Sequence, residues 1–245
     1  IVASPEMDFN RATLNLKMGN YQIGWQLYER RWDCPMAKAD KDNFQRPILS
    51  NLEEARGKHI LFCHEQGYGD SIQFVRYAPF FKDFGITVTI LVPEPLRRLF
   101  ECFGLPVVTS RNDIEYDFEC PMLSSPKLFG TTLDTIPSTV PYLTIPQELV
   151  EQRNPQTTGR LKVGIVWAGQ SRDDHEMKKI DDKRSINISQ FSGLLSRNAD
   201  FVSLQFGDRS DEYLTLPQEL HPIQILQPDF DFLDTAAVIQ NLDLV

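Results

Sequence analysis

The stretch KHILFCHEQGYGDSIQFVRYAPFF, residues 58–81, constrains the fold more than any other part of the chain. Ile60-Leu61-Phe62-Cys63 is a short apolar run of the kind that forms a buried strand. It gives way to Gln66-Gly67-Tyr68-Gly69-Asp70, where two glycines are free to take positive φ. Apolar spacing then becomes helical, with Ile72 and Val75 beside Phe74 and Ala78 on one face. Strand, glycine turn and helix in this order aim backbone N–H groups and a helix N-terminus at a ligand. The third glycine of a dinucleotide fingerprint is missing, because Ile72 stands in its place.

Around this unit the pattern repeats. Residues 5–32 read as two paired helices, with Gly24 small enough to let them approach closely and Tyr21 and Tyr28 filling the space beside it. Such a hairpin resembles one tetratricopeptide-type unit, or equally an αα-hairpin that packs on the next domain. Residues 33–57 carry Pro35 and Pro47 with little periodicity and read as a connector. From 58 to about 145 strands alternate with helices: Ile86–Val92 is a strand, Leu96–Phe103 a helix, and Pro106–Val108 and Tyr116–Cys120 are further strands. This alternation predicts a parallel sheet with helices on its faces.

The polar stretch 147–160, with Pro155 and Gly159, is the expected linker. The theme restarts at the strand Lys162–Trp167, followed by a long charged segment over 172–184. A helix capped by Ser189, a strand at Phe201–Leu204, a helix over 211–220 and a strand at Ile223–Leu226 come next. A helix over 231–242 leads into Leu244-Val245, which read as the beginning of a fourth strand. The predicted organisation is therefore a helical hairpin with connector (1–57), a first Rossmann-like unit (58–146), a linker (147–160) and a second, apparently incomplete unit (161–245).

Composition narrows the function classes. With 41% hydrophobic and 24% charged residues the chain reads as globular. A formal charge of −9 argues against a nucleic-acid partner, since no broad basic face is available to neutralise phosphates. No apolar run approaches the roughly 20 residues of a membrane span. Four cysteines at 34, 63, 102 and 120 have neither CxxC nor zinc spacing, so they read as free thiols in a reducing, cytoplasmic setting.

Several runs recur in a recognisable order: EQGYGDSIQFVRYAPFF, then LFGTTLDTIP and PYL, then VGIVWAG, RSI, FVSLQ and DTAAVIQNLDLV. Together they resemble the glycosyltransferase domain of bacterial tetratricopeptide-repeat proteins, relatives of the lipopolysaccharide heptosyltransferases (glycosyltransferase family 9). More distantly, the layout is similar to protein O-GlcNAc transferases. The resemblance implies a GT-B architecture of tandem Rossmann-like domains, with the acceptor mainly on the first and a nucleotide-sugar donor mainly on the second. It implies sugar transfer to a hydroxyl of a protein or glycan, with inversion and without a metal or other cofactor. Such proteins continue beyond the equivalent of Leu244-Val245 into an Asp-Thr/Ser turn and a histidine-bearing helix that hold the donor phosphates, so little nucleotide-sugar binding is expected of these residues alone.

On that resemblance Asp70 is the expected catalytic base, with Gln66, Gly67, Tyr68 and Gly69 forming an acceptor-side loop. From the residues alone, Asp70 is equally a helix cap, and His64 is a weaker base candidate. Donor contacts are expected from Gly169, Gln170, Ser171, Arg184 and Gln205, with Glu212 a further possibility. Two other classes stay open. One is a nucleotide-dependent oxidoreductase using Glu94 at the end of the second strand, although Glu94 stands farther beyond Gly67 than the roughly 20 residues usual for a ribose-binding acid. The other is a non-catalytic partner-binding protein built on the hairpin.

Overall fold

The computed structural model describes residues 4–112, 114–169 and 183–245. They form two compact units, Ile1–Thr144 and Ile145–Val245. The α/β class with parallel sheets expected from the sequence is what the chain adopts.

The first unit opens with helix α1 (Pro5–Lys17), whose N-terminus is set by Pro5 and by Ser4, which accepts a hydrogen bond from the Met7 N–H at 3.3 Å. Helix α2 (Tyr21–Tyr28) packs against it. The crossing is close: a Cβ on Gly24 would lie 2.6 Å from Leu16 Cδ2 and 3.1 Å from the Leu16 backbone nitrogen. The hairpin continues through a 3-10 turn, Glu29–Asp33. The segment read as a connector is not all loop, because Pro35–Asp42 forms helix α3. Its start is Pro35, a residue favoured at the first helical position, where its missing N–H is not needed.

The sheet of this unit has four parallel strands: β1 (His59–Cys63), β2 (Thr87–Leu91), β3 (Val107–Val108) and β4 (Phe118–Pro121), in the order β3-β2-β1-β4. Parallel strands covered on both faces need apolar side chains throughout rather than in alternation, and Ile60, Leu61, Phe62 and Cys63 are all buried. Helix α4 (Tyr68–Phe74) follows β1 and runs on as a 3-10 helix to Phe84, past Pro79. Helix α5 (Glu94–Glu101) starts at Pro95 in its first turn and buries Leu96, Leu99 and Phe100. A short helix α6 (Ser125–Leu128) comes after β4.

One fully buried carboxylate anchors this sheet. Glu119, on β4, accepts hydrogen bonds from the Gln45 N–H at 2.7 Å, the Tyr116 hydroxyl at 3.1 Å, and Arg111 Nε and Nη2 at 3.0 and 2.9 Å. Burial by itself would raise its pKa, but Arg111 and the N–H donors more than offset that and hold it below the ordinary carboxylate value. Tyr116 is pushed the other way, up to about 12, by burial and by the adjacent carboxylate.

The second unit repeats the arrangement with β5 (Lys162–Ile165), β6 (Asp200–Ser203) and β7 (Ile223–Gln224), all parallel, in the order β5-β6-β7. Leu244 makes a parallel bridge to Val163 on the free side of β5. The strand order 3-2-1-4 thus recurs, which is the half-sheet pattern of a Rossmann-like fold.

The stretch read as a linker belongs to this unit and contains helix α7 (Gln147–Gln152). Arg153 reaches Asp234 at 2.8 Å in the closing helix, Phe232–Gln240. Thr158 and Arg160 hold the buried Asp200 at 2.9 and 2.7 Å. Polar residues suggest a free linker, but here they serve as partners for buried carboxylates.

The helix expected over 211–220 is instead two 3-10 turns, Ser210–Thr215 and Gln218–Leu220. Pro217 forces the preceding Leu216 into an extended conformation. The helix expected from Ser189 is capped slightly earlier, where Asn187 accepts the Ser189 N–H at 2.9 Å.

Because the folded-state pKa of Glu119 is depressed, its stabilisation is present above the ordinary carboxylate range and is lost as pH falls through the folded value. Glu119→Gln should lower the unfolding free energy at neutral pH by about 3 kcal/mol, the scale for breaking a buried pair. The gap to the parent should narrow in urea titrations repeated at about pH 3, where the parent carboxylate is itself protonated.

Candidate functional site

In an open parallel sheet, ligands bind beyond the carboxyl ends of the strands, at the point where the strand order reverses. In the first sheet that point lies between β1 and β4. It is filled by the chain itself. Arg31, at the end of the hairpin, is 4% exposed and forks onto Glu65, which follows β1, with Nε to Oε1 at 2.6 Å and Nη2 to Oε2 at 2.9 Å. The same Nη2 donates to Ser124 Oγ, beyond β4, at 2.9 Å. Nη1 donates to Glu29 at 2.7 Å and to the Tyr28 carbonyl at 3.2 Å. The guanidinium also lies 4.8 Å from the Tyr28 ring centroid and 4.5 Å from that of Trp32. Burial works against its charge, but Glu65 and Glu29 more than compensate and lift its pKa above the ordinary value.

Beside this filled crevice lies the turn singled out from the sequence. Its strained residue is Gln66, at φ 63°, and not Gly67 or Gly69. Positive φ is uncommon for a side chain of this size, and Gln66 is held by donating from Nε2 to the Tyr28 hydroxyl at 2.9 Å. Gly67 is extended and precedes α4. Asp70 Oδ2 accepts the Gly67 N–H at 2.9 Å, so Asp70 does cap the turn. His64 is half-buried, its Nδ1 lies 2.6 Å from Oγ of the buried Ser71, and its ring centroid is 6.0 Å from that of the exposed Tyr68. Desolvation lowers the His64 pKa, while the charge of Asp70 acts in the opposite direction.

In the second unit the loop after β5 brings Gly169 and Arg184 together. A Cβ on Gly169 would lie 2.7 Å from Arg184 Nη2 and 2.8 Å from its Nε, so the guanidinium sits against bare backbone. The Gly169 N–H donates to Ser185 Oγ at 3.0 Å. Gln205, at the end of β6, shapes this loop: Oε1 accepts the Trp167 and Ala168 N–H groups at 3.2 and 2.9 Å. Its Nε2 donates to the Ala168 and Phe206 carbonyls, each at 3.1 Å. Gln205 is therefore a brace for the loop, with its hydrogen-bonding capacity taken up by backbone.

Trp167 Nε1 and Ser203 Oγ, both buried near the carboxyl end of this sheet, have no hydrogen-bond partner among the described residues. Trp25 Nε1 and Trp32 Nε1 of the first unit are unpartnered in the same way, so such atoms do not distinguish the two sheets. Gln170 and Ser171 lie outside the described residues.

Two acids considered from the sequence are engaged locally. Glu94 pairs with Arg97 at 3.5 Å in α5, and Glu212 pairs with Arg209. The residue that sequence reasoning missed is Arg31. Its signal is a charge beside Trp32 at the end of an apolar hairpin, a place where a lone arginine needs a partner elsewhere in the fold.

Arg31→Ala leaves Glu65 buried without its fork and should destabilise the first unit by about 3–5 kcal/mol. Arg31→Lys should recover only part of this, because an ammonium cannot make the bidentate contact. Urea denaturation of the three proteins measures both values.

The chain is 28% identical over 281 residues to Protein FlbA of Caulobacter vibrioides, a match covering 99% of this chain and 45% of the relative. The chain therefore spans about half the length of the curated relative it matches. No family model and no solved structure matches it. No described helix is long and apolar enough to cross a membrane.

Proposed function

We propose that this chain is a glycosyltransferase of GT-B type, moving a sugar from a nucleotide-sugar donor to a hydroxyl of a protein or glycan with inversion. The observation that carries the reading is the recurrence of one strand order, 3-2-1-4, in two consecutive parallel sheets. The exit loops of the two first strands hold the two sets of residues the chemistry requires. Fold alone does not select a reaction; the ordered motifs from the Gly67–Asp70 turn to Arg184 supply the choice. In this reading the N-terminal hairpin is a tetratricopeptide-like unit.

The donor belongs to the second unit, where the Arg184 guanidinium at Gly169 provides charge-assisted hydrogen bonds for a diphosphate. Gln205 holds the loop backbone in shape for it. The acceptor belongs to the first unit. A cavity of about 110 Å³ lined by Trp25, Gln73, Phe74, Arg76 and Tyr77 lies between α2 and the end of α4. An acceptor hydroxyl attacking the anomeric carbon must lose its proton, and the exit turn of β1 offers the basic groups to receive it.

In a longer protein that contains the chain, Arg184→Ala should weaken binding of a nucleoside diphosphate by about 1.5–3 kcal/mol, the range of a hydrogen bond to a charged group. Gly169→Ala should produce a similar loss by displacing the guanidinium while the fold survives, because only the flexible end of an arginine has to move. Calorimetry with UDP, GDP and ADP tests both, and unchanged affinity in both variants would remove the donor site from this loop. Were Asp70 itself the base, Asp70→Asn would slow turnover by about 10²-fold or more, the range for a positioned acid–base group. A full parental rate would leave Asp70 as a cap alone.

A further inference from the structure

We infer that His64 is the group that takes the acceptor's proton, with the buried Ser71 as its positioning residue. This rests on the transferase reading above and names the catalytic base within it.

Three observations lead there. His64 is the first residue beyond β1, tied to the sheet by its backbone N–H, which donates to the Leu91 carbonyl at 2.8 Å. Its ring is fixed through Nδ1 by Ser71 Oγ at 2.6 Å, a hydroxyl that is fully buried one turn into α4. Its Nε2 has no hydrogen-bond partner among the described residues, and the side chain is half-buried beside the exposed Tyr68. A histidine held at one nitrogen and open at the other is arranged for proton transfer at the open one.

Asp70 is less suited to receive the proton directly, because Oδ2 is engaged by the Gly67 N–H. Its charge nevertheless favours the imidazolium. Desolvation lowers the ring's pKa below the ordinary histidine value, with Asp70 as the charged group acting against that tendency. Glu65, the next residue in the chain, is turned to Arg31 and paired with it. From β2, the Leu91 carbonyl contacts His64 without adding a titrating group.

The step balances. As the acceptor oxygen forms its bond to the anomeric carbon, its proton passes to His64 Nε2. The bond from that carbon to the diphosphate oxygen breaks, and its electron pair leaves with the nucleoside diphosphate. For Nε2 to be a lone pair beforehand, Nδ1 must carry the proton and donate it to Ser71 Oγ.

Two measurements on this chain test the assignment. Long-range nitrogen–proton NMR, with the His64 signals identified by their loss in His64→Gln, should show the Nδ1–H tautomer and a pKa below the ordinary histidine value. A Nε2–H tautomer at neutral pH would overturn the inference.

The second measurement is release of nucleoside diphosphate from a panel of UDP-, GDP- and ADP-sugars, with water as acceptor, across pH 5–9. The parental rate should fall on the acid side as His64 becomes protonated. His64→Gln should lose about 10²-fold and that acid limb together. Ser71→Ala should lose less, with an altered limb, and Asp70→Asn should move the limb to lower pH by removing the charge that favours the imidazolium. Parental rates and an unchanged limb in His64→Gln would overturn the assignment while leaving the transferase reading intact. No release from any donor, by this chain or by a longer protein that contains it, would overturn both.

Discussion

The Arg31 guanidinium is the interaction on which the arrangement of the first unit depends. A buried cation is tolerated only when its donors are matched, and five N–H groups in a rigid plane demand acceptors from several directions. Here they come from the hairpin itself, from the loop after β1 and from the loop after β4. The hairpin cannot leave without stranding Glu65 and Glu29, so it is part of the sheet's own architecture. The same contact closes the place where a sheet of this order ordinarily receives a ligand. Beside it, Gln66 is held in its uncommon backbone conformation by the hairpin's Tyr28.

In the second unit the corresponding loop carries Gly169 with the Arg184 guanidinium laid against it. Gln205 holds the backbone of that loop, much as Arg31 holds the loops of the first sheet, by engaging every hydrogen-bonding atom of its amide. The two units share a strand order and differ in the side chain that braces the rim, a buried cation in one and a buried neutral amide in the other.

Much of the fold is legible in the residues, for reasons that differ by element. Ile60–Cys63 and Val163–Ile165 announce buried parallel strands because both faces of such strands need apolar side chains. Gly24 announces a close helix crossing, and Leu16 is what it meets. The failures share a cause. Helix α3 and helix α7 are polar and only eight and six residues long, too short for a periodicity to mark them. The 147–160 stretch misleads because its Arg153, Thr158 and Arg160 look solvated until Asp234 and Asp200 are known to be buried opposite them. In the turn after β1, glycine content points to positive φ at Gly67 or Gly69, whereas tertiary hydrogen bonding places it at Gln66.

Position on the rim of a sheet can be read from sequence; role cannot, because role depends on which hydrogen-bonding capacity is left after folding. Gln205 stands where a ligand contact is expected, yet both lone pairs and both protons of its amide are engaged by backbone. Asp70 stands where a base is expected, yet one of its oxygens terminates a helix. His64 has one nitrogen fixed by Ser71, and its other nitrogen has no partner among the described residues. A group whose bonds are all made is a support, and breaking one of them to reach substrate would sacrifice the loop it holds. A group fixed at one atom and open at another can exchange a proton without disturbing its surroundings. By this criterion the braces are Gln205 and Arg31, the cap is Asp70, and the imidazole at the end of β1 is the group with an open nitrogen.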